Sequence, residues 1–85
     1  MAKNTFTSTA SYVQVATGPC VITVLKAGRG TLFLNETATD TNAYRYSKET
    51  LGVNDQLEQF SSVDTYIKGS DANDPWVLLV DGAAL

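Results

Sequence analysis

Histidine is absent from this 85-residue chain, cysteine occurs once and proline twice. Each shortage excludes something. Without histidine, neither a Ser-His-Asp nor a Cys-His nucleophilic device can be assembled. The lone Cys20 permits no internal disulfide and, with no histidine to help it, no zinc site. It reads as a small buried apolar residue in a reducing compartment. Basic residues are few: Lys3, Lys26, Arg29, Arg45, Lys48 and Lys68, scattered in a chain of net charge −3. Phosphate-backbone binding needs clustered positive charge, so a nucleic-acid partner is disfavoured. No apolar run is long enough to span a membrane, and the polar stretch Met1–Ala10 has no signal-peptide pattern. The expectation is a protein made in the cytoplasm without a leader.

What is present is a succession of short apolar or alternating runs separated by turn formers. The most prominent stretch is Pro19–Thr37, PCVITVLKAGRGTLFLNET. Cys20–Leu25 is rich in β-branched residues, which suit a pleated surface. Leu32–Leu34 follows after Ala27-Gly28-Arg29-Gly30, where glycine tolerates positive φ. Together they predict a central β-hairpin, with Cys20, Ile22 and Val24 on one face and Val21, Thr23 and Leu25 on the other. Both faces are largely apolar, as in a strand covered on two sides.

The remaining segments repeat the pattern. Residues 1–11 predict a loose arm with Phe6 as its one large anchor, able to reach a neighbouring subunit or surface. Tyr12–Val15 predicts a strand ended by Thr17-Gly18-Pro19. Glu36–Ala43 is a polar loop, and its Asn35-Glu36-Thr37 sequon is read as a chance match. Tyr44–Lys48 alternates, placing Tyr44 and Tyr46 together. Thr50–Asp55 is a turn, with Gly52 available for positive φ. Gln56–Phe60 predicts a strand rather than a helix, because a helix so short is marginal. Val63–Lys68 alternates, with Val63, Thr65 and Ile67 on one face. After the turn Gly69–Asp74, Pro75–Val80 forms the most apolar run, with Trp76, Leu78 and Val80 on one face and Asp81-Gly82 as its stop. Residues 83–85 are expected to fray.

The sum is an all-β chain: a small antiparallel β-sandwich or barrel of about seven short strands. Residues 12–82 form its single domain. A domain of this length buries roughly 60–65% of its unfolded surface, which makes for a thin core. With disulfides and metals excluded, self-association or docking on a larger body is the remaining supplement.

No constellation carries chemistry, so no catalytic, cofactor-binding or metal-binding residue is assigned and no cofactor is expected. The carboxylates fall in loops or on wet faces, and nothing selects a pair for glycoside hydrolysis. Asp71, Asn73 and Asp74 are the densest oxygen cluster, but the glycine and glutamate of a calcium loop are missing, and an Asx turn accounts for them. Gly28-Arg29-Gly30 lacks the lysine and helix of a phosphate loop and reads as an exposed tip.

The layout resembles the small all-β virion structural proteins of tailed bacteriophages, such as capsid decoration (cement) proteins. The stretches that carry the likeness are VITVLKAGRGTLFLNET and VDTYIKGSDANDPWVLLVDG, the latter ending almost at the terminus. The resemblance implies a non-enzymatic protein located in the virion and bound to the major capsid protein or another virion protein. It also implies a homo-oligomer, with a trimer favoured. Avidity would then turn weak repeated contacts into durable attachment. Phe6, Arg29, Tyr44 and Tyr46 are the candidate partner-binding residues. The alternative is a carbohydrate-binding or adaptor module of a tail fibre or adhesin, with Tyr44, Tyr46 and Trp76 stacking on sugar rings.

Overall fold

Everything in the fold is hung on one long strand. The computed structural model describes residues 2–59 and 63–84, and among them every regular element is a strand. The strands are β1 (Ala2–Thr7), β2 (Val13–Lys26), β3 (Leu32–Asn35), β4 (Tyr44–Tyr46), β5 (Gln56–Gln59), β6 (Thr65–Gly69) and β7 (Val77–Ala84). They form one seven-stranded sheet in the order β1-β7-β2-β6-β3-β4, with β5 also paired to β2. Every pairing is antiparallel. The protein is therefore all-β, with β1 and β4 as the ends of the main path and β5 as a branch whose outer side is a further edge.

The strand β2 runs on through Thr17-Gly18-Pro19, where the sequence predicts a stop. It does so by bulging. Between the pairs Ala16–Ala84 and Cys20–Gly82, three β2 residues stand against Ala83 alone. Proline is tolerated there because a bulge leaves its position without a ladder bond to make. The partner strand adapts in turn. Gly82 adopts φ 120°, and a Cβ at that position would lie 2.8 Å from the Pro19 carbonyl oxygen. Asp81-Gly82 therefore bends β7 without ending it. A second irregularity, between Gln14 and Ala16, lets the consecutive Val15 and Ala16 both be fully buried. The bulges give β2 two successive partners on one edge: β6 along Val13–Ala16 and β5 along Cys20–Thr23.

The predicted central hairpin does not form. β2 pairs with β5, β6 and β7, and β6 separates it from β3. The connection Ala27–Thr31 binds the loop before β7 instead of turning back. Arg29 N donates to Asp74 O at 3.0 Å, Ser70 N to Thr31 O at 3.0 Å, and Thr31 N to Ser70 Oγ at 2.7 Å. Gly28 is buried in this seam, and a Cβ on it would lie 2.5 Å from Trp76 Cδ1. Its glycine serves close approach, whereas Gly30 takes the positive φ, 81°.

The inner face closes on one apolar core. Val15, Ala16, Ile22, Val24, Leu32, Leu34, Ile67, Trp76, Leu78 and Val80 are its fully buried members, with Cys20 and Leu51 beside them. Each large aliphatic side chain so buried contributes roughly 1.5–3 kcal/mol. The alternation read from Pro75–Val80 holds, since Trp76, Leu78 and Val80 are buried while Val77 and Leu79 are half-buried. The two-sided cover read for Cys20–Leu25 does not hold: Val21 and Thr23 are half-buried and Leu25 is exposed.

The ends also depart from expectation. Ala2–Thr7 is not an arm but strand β1, paired with β7 from Ala2–Gly82 to Thr7–Val77. Phe6 sits opposite Leu78 and packs on the core. Its neighbour Ser8 is buried, and its Oγ accepts the Trp76 backbone N–H at 2.8 Å. Ala83 and Ala84 belong to β7, while Leu85 and Phe60 lie outside the described residues. In the turn before β5, the positive φ falls on Asn54 (73°) and not on Gly52. Asn54 N and Val24 N exchange hydrogen bonds with Val24 O and Asp55 O, which docks that turn on β2.

Candidate functional site

The outer face of the sheet carries a row of side chains that alternation alone places together. Phe33 stands directly opposite Lys68 on β6 and Arg45 on β4. Tyr12 lies just before Val13, which pairs with Ile67, so it extends the row on the far side of Lys68. The order is aromatic, cation, aromatic, cation. Lys68 Nζ sits 4.9 Å from the Tyr12 ring centroid and 4.5 Å from that of Phe33. The Arg45 guanidinium lies 5.3 Å from the Phe33 centroid. A cation over a ring face is attracted by the ring quadrupole, by about 0.5–1 kcal/mol at exposed sites.

Asp40, from the polar loop 36–43, closes the row. Its Oδ1 accepts hydrogen bonds from Tyr12 OH at 2.8 Å and from Lys68 Nζ at 2.6 Å. Arg45 adds donors to the Ala43 and Asp40 backbone carbonyls at 3.2 and 3.4 Å. Asn35 Nδ2 donates to the Thr39 and Thr41 carbonyls at 2.7 and 2.9 Å. The loop is thus a strap tied across the sheet face. Beside it lies an open depression of about 360 Å³, lined by Ser11, Tyr12, Thr39, Asp40 and Lys68 among others.

The electrostatics follow from these contacts. Burial, then the hydrogen bond to the Asp40 carboxylate and its charge, push the Tyr12 phenol up from 10 to about 12, with Arg45 opposing. The hydrogen bonds from Lys68 and then Tyr12 hold the Asp40 carboxyl below its usual 3.8, against a smaller desolvation effect. The three titratable groups of the depression, Tyr12, Asp40 and Lys68, are engaged with one another. Lys68 is 18% exposed, wedged between two rings and a carboxylate.

The residues singled out from the sequence are not gathered into one site. Phe6 is half-buried in its own core and is not a projecting knob. Tyr46 also packs on the core, and burial, then Tyr44, raises its phenol. Tyr44 is 65% exposed on the edge strand, and Arg29 is exposed on its loop. Trp76 is fully buried, so it cannot stack on a sugar, and Tyr46 offers little more. The Asp71 carboxylate accepts from Asn73 N at 2.9 Å, an Asx turn as read. Burial raises the Cys20 thiol, consistent with an inert core residue.

Tyr12, Phe33, Asp40 and Lys68 were not singled out by sequence reasoning. The one available signal was Phe33, a large aromatic on the face opposite Leu32 and Leu34, which calls for cover.

Fold and site together define a small antiparallel all-β protein whose outer face is fastened by a cation–aromatic row and a strap. Neither the family models, nor the curated proteins, nor the solved structures compared with this chain give a match.

Proposed function

We propose that the protein is a non-enzymatic structural module that binds and stabilises a larger assembled shell, in the manner of a capsid decoration protein in a tailed-phage virion. The observation that supports it is the mutual engagement of Tyr12, Asp40 and Lys68. Around the depression the acid, the phenol and the amine are spent on one another, and the result is a fastener. Held out from this rigid body are fixed points of contact. Arg29 is exposed on a loop whose backbone is bonded to Asp74, so little backbone ordering entropy is lost when it meets a partner. Tyr44 stands in water on the sheet edge, and tyrosine and arginine are the residue types that dominate interface energetics. Many shallow contacts of this kind on a repeating surface give durable attachment through avidity.

Co-sedimentation tests the reading. The chain is expected to pellet with assembled shells of its cognate particle and not with unassembled capsid subunits, and Arg29→Ala is expected to lower the occupancy. Absence from the pellet at saturating concentration, or turnover of a substrate by the purified chain, overturns it. The sugar-binding alternative retains only Tyr44 as an exposed platform, and hits on a glycan array without shell binding would restore it.

A further inference from the structure

We infer that this chain assembles head to tail with copies of itself, by pairing the free edge of β4 with the free edge of β5 in a neighbour. The argument is independent of what the assembly then binds. Among the described residues, β4 pairs only with β3 and β5 only with β2, so each leaves a row of backbone donors and acceptors open. Open edges are templates for strand addition.

The two edges are complementary in face and in charge. Tyr46 lies opposite the fully buried Leu32, and Leu57 opposite the fully buried Ile22, so both point to the inner side. Both are only half-buried and pack on the core from its rim. Arg45 and Glu58 point to the outer side and are exposed. An antiparallel register that sets Tyr46 against Leu57 also sets Arg45 against Glu58. It continues the inner apolar face across the junction and places opposite charges directly across from each other on the outer face. Beyond the ladder, Lys48 follows β4 and Asp55 precedes β5, so the flanking charges also differ in sign. The ion pairs among the described residues are Lys3–Asp81, Lys26–Asp74 and Lys68–Asp40, and these leave Arg45 and Glu58 outside any of them.

A β4–β5 contact joins two different surfaces. Repeated without reciprocation, it closes into a ring or runs on as a filament. With a three-residue strand on one side, the contact is small, and assembly is expected to be concentration-dependent.

The test is solution mass as a function of concentration, by light scattering and native mass spectrometry, on the full chain. The expected result is a monomer of 9.1 kDa at low concentration, with discrete larger species as concentration rises. Arg45→Glu and Glu58→Arg should each weaken assembly by about tenfold, the effect of turning one cross-strand attraction into a repulsion. The double variant Arg45→Glu/Glu58→Arg should restore it. Circular dichroism on Glu58→Arg, which touches no part of the strap, separates loss of assembly from loss of fold. Two results overturn the inference. One is a monomer up to about millimolar concentration, in which case Arg45 simply blocks the edge. The other is an oligomer indifferent to both charge reversals.

Discussion

The two faces of the β3–β6 pair are built from neighbouring residues and held by different physics. On the inner side, Leu32, Leu34, Thr65 and Ile67 are buried, and their stability is the removal of apolar surface from water. On the outer side, Phe33 and Lys68 stay half-buried and are held by cation–ring attraction and by a loop carboxylate. The inner face is indifferent to pH and little affected by salt. The outer face answers to pH through Tyr12 and Asp40 and loses strength as ions screen it. A thin domain has put polar fastening where it had no second layer of side chains to pack.

Substitutions should expose that difference. The largest effect belongs to the inner face: Ile67→Ala leaves a cavity under β6 and should cost about 2–5 kcal/mol. It should lower the urea midpoint equally at low and high salt. Ser8→Ala should cost about 1–3 kcal/mol, because the buried Trp76 N–H loses its acceptor. On the outer face, Phe33→Leu keeps an apolar side chain but removes the ring under both cations. It should cost about 1 kcal/mol, in a salt-dependent way. Equal salt dependence for Ile67→Ala and Phe33→Leu would erase the contrast between the faces.

The smallest effect is the most specific. Asp40→Asn removes the carboxylate from the strap and should lower the Tyr12 phenol from about 12 toward 10, read by ultraviolet titration. A phenol unmoved by this change would leave burial as its sole cause.

The pH dependence has a sign at each end. Tyr12 holds its proton in the folded chain up to about pH 12, whereas the unfolded chain releases it near 10. Its contribution is therefore complete below pH 10 and falls away as pH rises toward 12. Asp40 titrates below 3.8 when folded, so its contribution is complete above that value and is lost as pH falls through the folded pKa. Denaturation midpoints across both ranges, with and without Asp40→Asn, measure both.

Much of the strand content could be read directly. The alternation in Pro75–Val80, the loop 36–43 and the buried Cys20 all follow from local residue types; the alternation expected over Val63–Lys68 holds from Thr65 onward, whereas Val63, which precedes β6, is exposed. The arm expectation fails because Ala2–Thr7 is polar, and its pairing depends on a β7 edge seventy or more residues away. The site was hidden for the same reason. Tyr12, Phe33, Asp40 and Lys68 lie on four separate segments, and nothing local links them until β6 comes to lie between β2 and β3.

Residue order dictated which segments are extended and which side of each faces inward, because pleat alternation and turn chemistry act over a few neighbours. Which strand lies beside which was decided by the closing of the core. Gly28 admits Trp76, Gly18-Pro19 bulges against Gly82, and β2 is thereby handed to three partners where its sequence neighbour β3 was the obvious one. Strand pairing is a competition among distant apolar faces for one small interior, and no short window of the chain contains the competitors.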